Sequence, residues 1–424
     1  MHQGVELRYE MATHTLENGL RVCVQPDPLA PAVAVNLWYE VGSYDELPGK
    51  SGFAHLFEHL MFQGSADVAS GEHMATIESV GGSVNATTST DRTNYFETVP
   101  TGALELALWL EANRMSSLAI TQENFEAQVE VVKEEKRQRY DNQPYGDLYE
   151  LLIAQHYEPS HPYGHLPIGS MTDLDAASLA DVQQFFDSWY RPSNARLVLA
   201  GNVAAETAIE LVERYFAQVP AQPRPSHQSP LAGAAGGGTT TVTRKVPHSL
   251  LYASWPTPPA DHDDNLVLDV ALAILTDGHT SRLHKRLVRQ LGLAQEVHGS
   301  ALLHLRDSSV STILARPADG VSTASTAAAL HEALQDFAAD GPTPEELERA
   351  VAQYERSWLQ DLATVEGRAD MINDSWLTFG EPERLNSRLA ELTAITPDDV
   401  RRVVATRLSG QPAELHYLAD KGDR

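Results

Sequence analysis

The stretch from Ser51 to Ser65, SGFAHLFEHLMFQGS, constrains this chain more than any other. It holds His55, Glu58 and His59 in the order H-x-x-E-H, set among Phe53, Leu56, Phe57, Leu60, Met61 and Phe62. The apolar spacing predicts a helix, and on a helix His55 and His59 stand one turn apart on one face. Two imidazoles so placed can share one Zn²⁺ through a nitrogen each. Glu58 borders the same face, close enough to reach a water on the ion without being a ligand itself. A metal that acidifies water, beside a carboxylate that takes its proton, is the equipment of a metal-assisted hydrolase. Burying three polar groups in apolar surroundings costs several kcal/mol unless they are satisfied, and a metal would satisfy them.

At 424 residues the chain is longer than one core usually supports, so two or more domains are expected. The stretch Pro220 to Gly238, PAQPRPSHQSPLAGAAGGG, reads as a flexible linker near the middle. The halves on either side show a weak repeat. Ser178-x-x-Asp181-Val182 aligns with Thr396-x-x-Asp399-Val400, each a capping-box start of a helix. The same shift, without a gap, carries Leu197–Asn202 onto Leu415–Asp420, so both halves end in a capped helix followed by a short strand. The second half has no H-x-x-E-H. This reading gives a zinc-bearing domain over 1–222, a linker over 223–238 and a related domain without metal over 239–424.

Within the first half, Asn18 to Val41 reads as a hairpin, with LRVCVQ and AVAVNLWYEV as strands around the turn PDPLAP. Ser51 reads as the cap of the histidine helix. Further helices are expected over 71–80, 101–115, 123–140, 169–190 and 203–219, and strands over 83–88, 93–99 and 196–200. Catalytic zinc usually has three protein ligands. The acidic stretch 123–140 offers Glu126, Glu130, Glu134 and Glu135 for the third. Spacing alone leaves them open; Glu135 is preferred weakly because it falls nearer the face of Gln128, Val131 and Val132. For the others a solvated face with Glu–Lys/Arg pairs is the better reading.

Net charge is −27, which argues against nucleic acid and anionic membranes as partners. No apolar run is long enough to span a bilayer. Cys23 is the sole cysteine, so an intrachain disulfide and a thiolate cluster are both excluded. The N-terminal residues lack a secretory pattern, so a cytoplasmic location is expected, or a periplasmic one if a leader was trimmed.

The chain resembles the pitrilysin-type metallopeptidases, the inverzincins, whose signature is H-x-x-E-H. The resemblance runs through GFAHLFEHLMFQGS, GGSVNATTSTDRTNYF, VVKEEKRQRYDNQPYG, HPYGHLPIGSMTDL and WYRPSNARLVLAGNV, and in the second half LTDGHTSRLHKRLVRQLGLAQEV. It implies an α+β fold of two related domains, each a mixed β-sheet covered by α-helices. It implies one Zn²⁺ per chain on His55, His59 and Glu135, with Glu58 as general base, and so decides for Glu135 over its neighbours. It implies that Ser83–Thr87 is an edge strand to which the substrate backbone adds, with Asn85 and Ala86 touching it. The expected function is zinc-dependent endopeptidase action on unfolded oligopeptides.

Two departures from the family pattern matter. Many members carry a glutamate two turns before the third ligand, where this chain has Gln128. Active members also place an arginine and, further on, a tyrosine in the C-terminal half; here those places hold Val288 and Gln295, with Arg289 one residue out of register. Two-chain members, including the bacterial pairs and the mitochondrial processing peptidase with its zinc-bearing beta-type subunit, divide zinc and the Arg/Tyr pair between subunits. The expectation is therefore the catalytic subunit of a heterodimer. The alternatives are a single-chain or homodimeric peptidase using Arg282, Arg286 or Arg289, and a non-catalytic scaffold subunit.

Overall fold

The computed structural model describes residues 8–227 and 237–420. Part of the expected linker, 228–236, lies outside the described residues. Two compact units emerge, and each is assembled from separate stretches of chain. Unit 1 contains 8–136, 166–227 and 358–388; unit 2 contains 137–165, 237–357 and 389–420.

Unit 1 is built on a six-stranded mixed sheet. Its strands are β1 (Ala12–Thr15), β2 (Arg21–Pro26), β3 (Ala32–Tyr39), β4 (Ser83–Thr88), β5 (Thr93–Pro100) and β6 (Ala195–Gly201). They lie in the order β1-β2-β6-β3-β5-β4. The expected hairpin over 18–41 is not formed. β6 inserts between its two strands, parallel to β2 and antiparallel to β3. The reason lies in composition: β6 is buried at every position and needs neighbours on both edges, while β2 finds its hairpin partner in the short β1.

β3 and β6 are buried along nearly their whole length, so both faces of the sheet are covered. Side-chain alternation assigns the faces. Asn36, Asn94 and Thr98 reach Asp370 and Glu366 on the helix Val365–Phe379, at 3.2, 3.3 and 3.3 Å. The opposite face carries Tyr39, Tyr95 and Glu97. It packs against α1 (Phe53–Leu60), α2 (Glu72–Ser79) and α3 (Leu104–Ser117). α4 (Gln122–Lys136) packs on α1, burying Phe125, Val129 and Val132 in a stripe of helical period. The single helix expected over 169–190 is two, Met171–Asp175 and Leu179–Trp189; the Ser178–Asp181 capping box starts the second.

Unit 2 has a five-stranded sheet of β7 (Gly238–Arg244), β8 (Leu250–Thr257), β9 (Ala294–Leu302), β10 (Ser309–Pro317) and β11 (Ala413–Ala419). Its order is β7-β11-β8-β10-β9, with β11 parallel to β7 and antiparallel to β8. That is the order β2-β6-β3-β5-β4 over again, and β11 stands where β6 does. The predicted Thr396–Asp399 capping box is also formed. The chain is thus two related α+β units, each a mixed sheet with helices. No helix among the described residues is long and apolar enough to cross a membrane.

Candidate metal centre

The H-x-x-E-H residues occupy α1. Phe53, Ala54, Leu56, Phe57 and Leu60 are buried, which leaves His55, Glu58 and His59 on the remaining, half-buried face. The helix start differs from expectation. Gly52, in a left-handed conformation with φ +96°, is the capping residue and has no side chain to offer. Ser51 instead donates its N–H and hydroxyl to Asp173, at 3.0 and 2.5 Å. The open N–H groups of the first turn go to Glu46, whose carboxylate accepts from Gly52 at 3.0 Å and Ala54 at 2.8 Å. A negative group there also favours the helix dipole. Gly169 closes against this start: a Cβ on it would lie 2.4 Å from the Gly52 backbone.

α4 brings Glu135 to the two histidines. Its Oε2 lies 3.3 Å from His59 Nε2 and 3.6 Å from His55 Nε2. The three donor atoms fall within 4.8 Å of one another, and all three residues are half-buried. Ligands sharing one tetrahedral zinc at ordinary bond lengths stand about 3.3–3.5 Å apart, so the donor set and its spacing fit one such ion. Glu126, Glu130 and Glu134 are exposed on α4, and Glu130 pairs with Lys133 at 2.8 Å. Of the face expected to turn inward with Glu135, Val132 is buried and Gln128 half-buried, whereas Val131 is exposed.

Glu58 sits beside this triad. Burial pushes its carboxyl above the ordinary carboxylate range. A hydrogen bond from Thr88 and the charges of His59 and Arg92 oppose that shift, and Glu135 adds to it. Thr88 Oγ1 donates to Glu58 Oε2 at 2.6 Å. Nothing in the sequence singles out Thr88 or Glu46, since only the folded sheet brings them to α1.

β4 ends the sheet, so among the described residues one of its edges has no strand partner. Ala86 pairs with Tyr95, on the α1 face; Asn85 pairs with Phe96, which turns its side chain to the other face. The Ala86 N–H donates to Asn85 Oδ1 at 2.9 Å. In unit 2, Val288 packs against the core and Gln295 is exposed. Arg282 is held by Glu346 through two bonds of 2.6 and 2.7 Å, and Arg286 pairs with Glu332 at 3.3 Å.

A second group of the same residue types lies deeper in unit 1. His73 on α2, Glu97 on β5 and Glu111 on α3 also place donor atoms within 4.8 Å of one another, and all three are buried. Here Arg114 is already present. Its Nε donates to Glu111 Oε2 at 2.9 Å and its Nη2 to the other oxygen, while His73 Nε2 meets Glu97 Oε1. The guanidinium also lies over the Tyr95 ring, 4.3 Å from its centroid. Burial raises Glu97 and Glu111 to about 7 and lowers His73 to about 3. This is a closed polar core that carries its own cation.

Residues 21–162 match the family described as Insulinase (Peptidase family M16), and 176–354 match that described as Peptidase M16 inactive domain. A Helicobacter pylori protein described as zinc protease PqqE is 34% identical over 309 residues, covering 71% of this chain and 68% of its own. An uncharacterized zinc protease of Bacillus subtilis, YmxG, is 26% identical over 97% of this chain and 98% of its own. The crystal structure of a protease from Helicobacter pylori superposes with a TM-score of 0.90, at 26% identity, over 97% of this chain and all of that one. The chain belongs to the insulinase family of zinc proteases, peptidase family M16.

Proposed function

We propose that the chain hydrolyses peptide bonds in unfolded oligopeptides with one zinc held by His55, His59 and Glu135. The observation that carries this reading is the spacing of the three donor atoms, 3.3 and 3.6 Å from one Glu135 oxygen, with Glu58 alongside. Zinc, when bound, supplies the acidity that activates a water and the positive charge that stabilises an oxyanion. Glu58 takes the proton of the attacking water and hands it to the leaving amine. A substrate backbone would lie along the open edge of β4, competing with Asn85 Oδ1 for the Ala86 N–H. That role makes Asn85 a gate on the edge rather than a side-chain contact on the α1 face.

The chain acts as the zinc-bearing subunit of a heterodimer whose related partner supplies the Arg/Tyr pair. Support comes from Val288 and Gln295 in the two places and from the engagement of Arg282 and Arg286 with Glu346 and Glu332. The deciding measurement is zinc content together with turnover of a quenched fluorescent peptide library, for wild type and Glu58→Gln. One zinc per chain with little turnover by the isolated protein is the expected result. Strong Glu58-dependent turnover by the isolated chain would overturn the heterodimer assignment and leave the zinc peptidase reading standing. Absence of bound zinc would overturn both.

A further inference from the structure

Glu58 and Thr88 belong to different elements, yet one short loop fixes both. Residues 42–46 grip the β4–β5 turn: the Ser43 N–H donates to Ser89 O at 3.3 Å and the Tyr44 N–H to Thr90 O at 2.9 Å. The same loop carries Glu46, which holds the start of α1 through the Gly52 and Ala54 N–H groups. The approach to the turn is close enough to require glycine. A Cβ on Gly42 would lie 2.4 Å from Thr90 O and 2.5 Å from Ser89 O. The turn itself is closed by Ser89 N–H to Arg92 O at 2.8 Å, and Arg92 Nη1 reaches back to Thr87 O at 3.1 Å. Thr88 is the last residue of β4, and its pairing with Thr93 puts its side chain on the α1 face.

A contact so framed is built rather than incidental. Thr is β-branched, with few side-chain rotamers open to it, so the hydroxyl is aimed before any substrate arrives. Its O–H points at Oε2 of Glu58, 2.6 Å away, which leaves Oε1 as the oxygen free to take a proton.

We infer that Thr88 is a positioning residue for the general base: its hydroxyl fixes the Glu58 carboxylate for proton transfer and ties it to the end of the strand along which substrate lies. The inference rests on the reading of Glu58 as the base. It adds a mechanical link between strand addition and chemistry, since a peptide that stiffens the β4 edge also stiffens the donor holding the base. No proton leaves Thr88; it donates a hydrogen bond throughout.

The test compares Thr88→Val, which keeps the shape and removes the donor, with Thr88→Ser, which keeps the donor. Both are made in the full-length zinc-loaded chain. Crystal structures give the first readout: the Glu58 carboxylate leaves its place in Thr88→Val and keeps it in Thr88→Ser. The second is steady-state kinetics on a quenched fluorescent peptide, in the assembly that shows Glu58-dependent turnover. Loss of one hydrogen bond to a charged group predicts a fall in kcat of roughly 10- to 100-fold, with KM and zinc content unchanged. Ser should restore most of the rate. A Glu58 side chain unmoved in Thr88→Val would overturn the inference, as would a kcat loss that Ser shares or that follows zinc loss. If Val is not accommodated, Thr88→Ala carries the same comparison. Should no preparation show Glu58-dependent turnover, the general-base reading itself fails, whereas the crystal comparison still decides whether Thr88 places Glu58.

Discussion

Among the described residues, unit 1 contains two clusters of histidine and glutamate whose donor atoms lie within 4.8 Å of one another, and their surroundings differ. His55, His59 and Glu135 are half-buried and so stand within reach of solvent. His73, Glu97 and Glu111 are fully buried, and Arg114 bonds both oxygens of Glu111. Proximity of ligating residues is therefore a poor guide to a metal centre by itself. What separates the two is burial, together with an arginine bonded to one carboxylate of the closed cluster. An arginine fork satisfies a buried carboxylate as a metal would, but it leaves nothing to bind and no position open to substrate.

The largest expected effect tests that contrast directly. Arg114→Met leaves the buried Glu111 carboxyl without its partner and should lower unfolding free energy by about 3–5 kcal/mol in urea titrations. Zinc per folded chain should stay at one. A second equivalent of zinc in this variant would break the distinction, because the closed cluster would then be a metal site held shut by arginine. Glu135→Gln attacks the other member of the pair. It should weaken zinc binding, measured by chelator competition, by more than the roughly 10- to 100-fold typical of a group outside the ligand shell. Its effect on the stability of the metal-free chain should be small.

A third prediction concerns protons. In the folded chain Glu97 and Glu111 are held at about 7, above the ordinary 4.5, so the native state keeps protons that the unfolded chain has released. Their contribution to stability is full below about 4.5 and is lost as pH rises to about 7. His73, lowered from 6.5 to about 3, acts in the opposite sense, and its contribution is lost as pH falls through that range. Subtracting the stability of Glu97→Gln from that of wild type isolates the Glu97 part. The difference should decline between pH 4.5 and 7, by up to about 1.4 kcal/mol per pH unit, and then level off. A difference that does not vary with pH would remove protonation from the description of the closed cluster. The smallest effect is expected at the open one. Glu46→Ala frees two N–H groups at the start of α1 and should cost about 1 kcal/mol in thermal or urea unfolding.

The sequence was most legible where chemistry is local. His55, Glu58 and His59 announce themselves by spacing on one helix, and the repeat of capped helix and strand at Ser178 and Thr396 points to two related halves. Strand neighbours were not legible. The pattern of β2 and β3 is that of a hairpin, and nothing local says that β6, far along the chain, will come between them. Ser51 failed as a cap for a similar reason: a carboxylate from a preceding loop and a partner at Asp173 outcompeted the local choice. Thr88 and Arg114 carry no local signal, because their meaning depends on contacts across strands and helices.

The helix Val365–Phe379 that covers one face of the first sheet comes from late in the chain. During synthesis this has a consequence in time. His55, Glu58, His59 and Glu135 have all been made by residue 135, and the last strand of their sheet by residue 201. The covering helix is finished only at residue 379, about 10–35 s later at ordinary elongation rates. Through that interval the sheet face bearing Asn36 and Asn94 has no lid of its own, and the nascent chain offers it to chaperones or to other copies. A fragment ending at residue 222 would remain in that state permanently, with its donor residues present and its sheet half covered.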